Sequence, residues 1–249
     1  MKISGSGTVK GGDYNEEIRI SGSGTIDGNI RCTELHASGS VRANGYVECE
    51  GEISVSGSGS FEDVKAKRVI SSGSFGSGSL SVDNKLETSG SCKVKGALYA
   101  DEAIISGSLE VRENAKFGKA DISGGFDCDG DTEAEDFRIS GPVTVNGLLN
   151  AENINIKLGQ RMYKNRINSI GGTNIKIEIS PLALFRKKAA VLSVKESIEG
   201  DEIYLENTEC PLVVGKNVII GEGCKIGKVQ YYNSCKISEE AEVCKEEKI

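Results

Sequence analysis

The sequence predicts an all-β protein, a parallel three-sided β-helix wound in coils of about seventeen residues, and three observations carry that prediction. The dipeptide Ser-Gly recurs at Ser4, Ser21, Ser38, Ser56, Ser72, Ser89, Ser106, Ser123 and Ser140 at near-constant spacing. Between these marks, apolar or small residues fall in three pairs per coil, the members of a pair two residues apart, which is the strand period. Only 3 Pro occur in 249 residues, as suits strands whose every N–H pairs with the coil above or below.

Taken in order, the coils vary on one plan. The first opens at Ile3 and places Asp13 and Asn15 at two positions that are apolar elsewhere, an altered corner. The fifth moves its apolar pair to Leu80 and Val82. The sixth, seventh and ninth are the most regular: Cys92, Val94, Leu98, Ala100, Ala103 and Ile105; Leu109, Val111, Ala115, Phe117, Ala120 and Ile122; Val143, Val145, Leu149, Ala151, Ile154 and Ile156. One corner is Ser-Gly itself. Another carries Gly11, Gly28, Gly45, Gly96, Gly130 or Gly147, where a bend with positive φ is expected.

Nine Ser-Gly coils therefore fill residues 1–158. Residues 159–192 break the register and carry Arg161, Lys164, Arg166, Lys176, Arg186, Lys187 and Lys188 against Glu178, which reads as a basic insertion or linker. The period returns in 193–249: Ile203, Ile220 and Ile237 are evenly spaced, as are Val218 with Cys235, Cys224 with Ala241, and Ile226 with Val243. About three further coils with a charged tail are expected there.

Composition excludes several function classes. A net charge of −7 disfavours nucleic acid as a partner, because phosphate binding needs a concentrated basic face. The chain starts Met1-Lys2-Ile3-Ser4 with no apolar leader and holds no long apolar run, so a cytoplasmic location is expected. Its 8 Cys form no CxxC pair. Cys32 and Cys49 occupy matching positions on adjacent coils and read as small core residues. Asp127-Cys128-Asp129-Gly130-Asp131 has its Gly misplaced for a calcium loop and reads as a solvated acidic face. Short coils leave no sugar cleft for paired carboxylates. The lone His36 falls at an outward position without a partner, which argues against the hexapeptide acyltransferases that Ile220-Gly221 and Ile226-Gly227 locally imitate. No enzyme, cofactor, metal site or small-molecule substrate is expected.

A single coil cannot offset its own ordering entropy, so stability comes from stacking and the terminal coils stay under-satisfied. Most solenoids blunt such ends, because an open strand edge templates another chain. With the repeat beginning at Ile3 there is no room for a cap, and Ile3, Val9, Ile18 and Ile20 are the expected self-assembly interface. Lys245-Glu246-Glu247-Lys248 would shield the other end. Leu182, Leu184, Phe185, Arg186, Lys187 and Lys188 join an apolar run to three cations, a candidate contact with a partner or with the inner face of an anionic membrane.

The stretches HASGSV, SGSLEV, ISGPVTVNGLLNAENINIKL, VKESIEGDEIYLENT and VVGKNVIIGEGCKIG together resemble the bactofilin-like, polymer-forming cytoskeletal proteins of bacteria over nearly the whole chain. That resemblance implies a right-handed three-sided β-helix, nucleotide-independent polymerisation through its ends, and a role in scaffolding, shape or motility. The alternative is a monomeric or dimeric adhesin-like module that binds protein through an extended β face; the absence of a leader favours the scaffold.

Overall fold

The computed structural model of the chain describes residues 1–159, 164–181 and 190–249. Every element bounded there is a strand, numbered β1 to β24 in chain order, and every described register between strands is parallel. Strands stack as a β-solenoid. Contacts divide the chain into two compact units, 1–118 and 119–249, so the division falls inside the first predicted array and not at residue 158.

The first unit has three sides. One stacks β1 (Lys2–Ile3), β3 (Glu17–Ile20), β5 (Glu34–Ala37) and the later halves of β7 (Val47–Val55), β9 (Val64–Ser71), β11 (Leu80–Thr88) and β13 (Leu98–Ile105). The second stacks β2 (Ser6–Asp13), β4 (Ser23–Cys32), β6 (Ser40–Ala43), β8 (Ser58–Ser60), β10 (Ser74–Ser77), β12 (Ser91–Val94) and β14 (Ser108–Val111). The third is built from the far ends of β2 and β4 and the leading halves of β7, β9, β11 and β13. Alternation sends one residue in two inward, and parallel register stacks the inward residues into columns. Ile18, Leu35, Ile53, Val69, Leu86 and Ala103 form one such column, each buried. Where Phe75 fills its column, Gly59 lies beneath it in register; a Cβ on Gly59 would sit 2.7 Å from the Phe61 ring, and Phe61 packs on Phe75 with centroids 5.1 Å apart.

Corners explain the glycines, for a reason the sequence does not show. Among the positions expected to need positive φ only Gly28 has it (φ 100°). Crowding decides at Gly11 and Gly45: a Cβ on Gly11 would meet the Asn29 carbonyl oxygen at 2.7 Å, and one on Gly45 the Gly28 carbonyl carbon at 2.6 Å. Crowding is tighter still at Ser-Gly. On Gly22, Gly39, Gly57, Gly73, Gly90 and Gly107 a Cβ would lie 1.8 to 2.4 Å from the carbonyl oxygen of the preceding corner glycine. Backbone packs on backbone there, and only glycine fits.

The two irregular coils resolve differently. In the fifth, Leu80 and Val82 hold the inward places opposite Val64 and Ala66, and the register slips between Val82 and Lys85 to restore the count. In the first, the slip falls between Lys10 and Gly12, so Gly12, not Asp13, lies opposite Ile30 while Asp13 pairs with outward Arg31. Asp13 is therefore exposed, not inward.

The second unit continues with β16 (Gly125–Cys128), β17 (Thr132–Ile139), β18 (Val143–Leu158), β19 (Asn165–Ile179), β20 (Leu192–Val194), β21 (Ser197–Leu205), β22 (Thr208–Ile220), β23 (Lys225–Ile237) and β24 (Glu242–Lys248). Its inward columns run Phe137, Ile154, Ile175, Ile203, Val218, Cys235 and Ile139, Ile156, Ile177, Leu205, Ile220, Ile237. β19 corrects the reading of 159–192 as an insertion. Ile167, Ile170, Ile175 and Ile177 are buried and in register on both sides, so 165–179 is a coil like its neighbours. The period hid it because the spacing between stacked positions widens here: Asn153 and Asn174 are paired 21 apart, and Ser169 reaches Glu196 across 27 residues. Lys164, Arg166 and Lys176 are exposed on the outer face of this region.

Some inward places are polar. Ser71, Ser77, Thr88 and Thr132 are buried with no hydrogen-bond partner for their hydroxyls. Asn165, also buried, accepts the Val143 N–H through Oδ1 at 3.2 Å.

Candidate functional site

Of the four residues expected at the assembling end, three are already sealed within the chain. Val9, Ile18 and Ile20 are 2%, 0% and 1% exposed, because β1 stacks on β3 with Ile3 over Ile20 and the Arg19 N–H donates to the Met1 carbonyl. Ile3 alone remains half-exposed. The end surface is instead the outer edges of β1 and β2, neither of which pairs beyond its one described neighbour. A small cap exists where none is expected: the Tyr14 N–H donates to the Arg31 carbonyl, and its hydroxyl donates to the Lys10 carbonyl at 2.9 Å, holding the half-buried ring at this end. Gly5, the first corner glycine, differs from its equivalents. Nothing lies within 4 Å of where its Cβ would be.

The last strand of the second unit is charged. Lys245, Glu246, Glu247 and Lys248 belong to β24 and pair with Lys228, Val229, Gln230 and Tyr231. The inward column Leu149, Ile170, Ile198, Val213, Val229 thus ends in Glu246. Tyr231 donates to Glu246, which raises its phenol pKa above the ordinary 10.0. Lys228 Nζ at 2.6 Å and Gln230 Nε2 at 3.2 Å hold Glu247, whose carboxyl lies below its ordinary range chiefly through Lys228. Inward charge on a terminal strand is a recognised way to blunt an edge.

Asx side chains brace neighbouring coils in each unit. Asn29 Oδ1 accepts the Tyr46 N–H at 2.9 Å, Asp63 Oδ1 accepts the Ser79 N–H and hydroxyl at 2.7 Å each, and Asp131 Oδ1 accepts the Leu148 N–H at 2.8 Å. Two members of the acidic run 127–136 are therefore structural, since Asp129 also accepts from Asn146 at 3.0 Å. Sequence reasoning missed these braces, although Gly28-Asn29 and Gly130-Asp131 mark them.

Cysteines behave as core. Cys32 and Cys49 are register partners and both buried; a hydrogen bond to the Cys49 sulfur and burial push the Cys32 thiol up. Burial raises Cys92 to about 12, and Cys210 and Cys224 to about 11. Such thiols stay protonated at neutral pH and make poor nucleophiles.

His36 is not without a partner. Its Nε2 lies 3.2 Å from Glu17 Oε1 and 3.1 Å from Glu34 Oε2. Glu17 and Glu34 are register neighbours on β3 and β5, and Lys2, Arg19 and His36 form the adjoining outward column. The Arg19 hydrogen bond and charge hold the Glu17 carboxyl below its ordinary 4.5, helped by His36.

On the second unit a groove of about 600 Å³ runs across six strands. Asn153, Asn174, Glu202, Asn217 and Ser234 line it as one outward column, joined by Asn174 Nδ2 to Asn153 Oδ1 at 2.9 Å, Asn217 Nδ2 to Glu202 Oε1 at 2.6 Å and Ser234 Oγ to Asn217 Oδ1 at 2.8 Å. The segment Leu182, Leu184, Phe185, Arg186, Lys187 and Lys188 lies outside the described residues, as does Arg161. Among the described residues no helix is long and apolar enough to cross a membrane.

No family model matches the chain, and no solved structure does. Two curated proteins of Bacillus subtilis (strain 168) are similar to it: "Uncharacterized protein YhbF", 39% identical over 103 residues, 41% of this chain and 42% of that protein, and "Uncharacterized protein YhbE", 36% identical over 89 residues, 35% of this chain and 37% of that protein. The chain thus matches about two fifths of the length of these relatives.

Proposed function

We propose that this protein is a non-enzymatic, self-assembling scaffold of the bactofilin-like kind, stacking through the open end of its first coil without nucleotide. Gly5 carries the reading. Each later Ser-Gly corner of the first unit is glycine because the carbonyl of the corner before it occupies the place of a Cβ. Gly5 has no such neighbour within its own chain, and a coil from a second copy supplies one. The unpaired edges of β1 and β2 and the half-exposed Ile3 favour the same end. The raised thiols of buried Cys32, Cys92, Cys210 and Cys224 favour a role other than catalysis for these residues. A cytoplasmic location belongs to this reading.

The test is sedimentation and negative-stain electron microscopy of the untagged chain across a concentration series without nucleotide. Filaments or ribbons are expected. Gly5→Val should abolish them while leaving the melting temperature of the dilute chain unchanged; a single small species at every concentration refutes the scaffold. The amide-lined groove of the second unit favours one other reading, a binding module that displays this face to a protein partner. That reading predicts a concentration-independent monomer or dimer.

A further inference from the structure

We infer that Glu17, Glu34 and His36 form a binding site for a divalent transition metal, with zinc the best fit, on the outer face of the first two coils. Parallel register sets Glu17 directly beside Glu34, about 4.8 Å apart along the stack. Like charges in that relation repel, so a cation belongs between them. His36, two residues after Glu34, points from the same face and brings Nε2 to 3.2 Å and 3.1 Å from one oxygen of each carboxylate. One Nε2 bears at most one proton and cannot serve both carboxylates fully; a metal ion at the centre serves all three.

Distances agree with that centre. Zinc bonds to imidazole nitrogen and carboxylate oxygen of about 2.0 to 2.2 Å in tetrahedral array place neighbouring donors roughly 3.3 to 3.5 Å apart. The two nitrogen–oxygen edges lie within a few tenths of that, and all three donor atoms lie within 4.8 Å of one another. Glu17 Oε1 is shielded from solvent, whereas the side chains as a whole are 32%, 50% and 30% exposed for Glu17, Glu34 and His36. A fourth position thus stays open to water. Nitrogen and oxygen donors with no thiolate suit zinc ahead of softer ions. Arg19 is the competitor, because its guanidinium is paired with the same Glu17 oxygen. A metal held here staples β3 to β5 across the two outermost coils.

Isothermal titration of the untagged, chelator-stripped full chain with zinc chloride, in a Cys244→Ser background that removes the exposed thiol, tests the site. One saturable event per chain is expected, with a dissociation constant on the order of 10 μM. His36→Ala and Glu34→Gln should each weaken it by about tenfold or more, and Arg19→Gln should tighten it. All three positions face outward, and circular dichroism establishes that each variant folds. Cobalt should give the visible absorption of a tetrahedral nitrogen–oxygen site in the parent and none in His36→Ala. Absence of saturable binding below about 1 mM, or binding that His36→Ala leaves unchanged, overturns the assignment.

Discussion

Replacing Gly90 by Ala probes the corner on which every coil of the first unit rests. The new Cβ would lie 1.9 Å from the Gly73 carbonyl oxygen and 2.8 Å from the Ser72 oxygen. Reaching an ordinary separation of about 3.0 Å requires the corner to open by roughly 1.1 Å. The Ser91 N–H donates to that same Gly73 oxygen at 3.0 Å, and such an opening takes it beyond hydrogen-bonding range. One or two ladder bonds at about 1 kcal/mol each and overpacking strain of about 1 to 3 kcal/mol sum to roughly 2 to 5 kcal/mol. At about 2 to 4 °C per kcal/mol the midpoint falls by about 4 to 20 °C. Thermal denaturation followed by circular dichroism measures this, and hydrogen exchange should localise the loss to the Ser89 and Ser91 amides, which donate to Ser71 and Gly73 across that corner. Gly5→Ala, in dilute protein, is the control and should melt with the parent. A Gly90→Ala chain melting within about 2 °C of the parent would refute the argument that backbone crowding selects these glycines.

Three further outcomes concern hydroxyls, a carboxylate and thiols. Thr88→Val and Thr132→Val keep the side-chain shape and remove hydroxyls that have no partner, so each should raise stability by about 1 kcal/mol in urea titrations. Asp63 is held below its ordinary 3.8 chiefly by the Ser79 hydroxyl, then by the Ser79 N–H; a depressed carboxyl contributes stability above its unfolded pKa that is lost as pH falls through the folded one. Asp63→Asn should therefore flatten the acid limb of a pH–stability curve below about pH 4. A thiol reagent should modify exposed Cys244 rapidly and Cys235 more slowly, and reach Cys32, Cys49, Cys92, Cys128, Cys210 and Cys224 only in denaturant; rapid reaction of two or more of the six would contradict their place in the core.

The repeat was legible because its signal is physical twice over. Ser-Gly marks a corner that only glycine fits, and pairs two apart mark strands, so the inward columns from Ile18 to Ala103 can be read directly. Register slips were partly legible: Leu80 and Val82 announce the shift in the fifth coil, but Asp13 does not announce that Gly12 takes its place. β19 was hidden because it lacks a Ser-Gly corner and its surplus residues break the spacing, although Ile167, Ile170, Ile175 and Ile177 keep the strand period. The His36 cluster depends on which outward residues lie side by side on neighbouring coils, a relation set by register and invisible to a reading along the chain. Ile18 and Ile20 were misjudged as surface for the same reason, since Met1 and Ile3 already cover them.

The unequal spacings around β19 separate two quantities that most folds tie together. Residues 153 and 174 sit one above the other although 21 positions separate them, just as 217 and 234 do with 17. Axial rise is fixed by backbone pairing at about 4.8 Å per coil and takes no account of how many residues a coil spends. Within each unit, matched outward positions are therefore graduations on a ruler. Lengthening a corner changes what is shown at a mark and leaves the marks where they were.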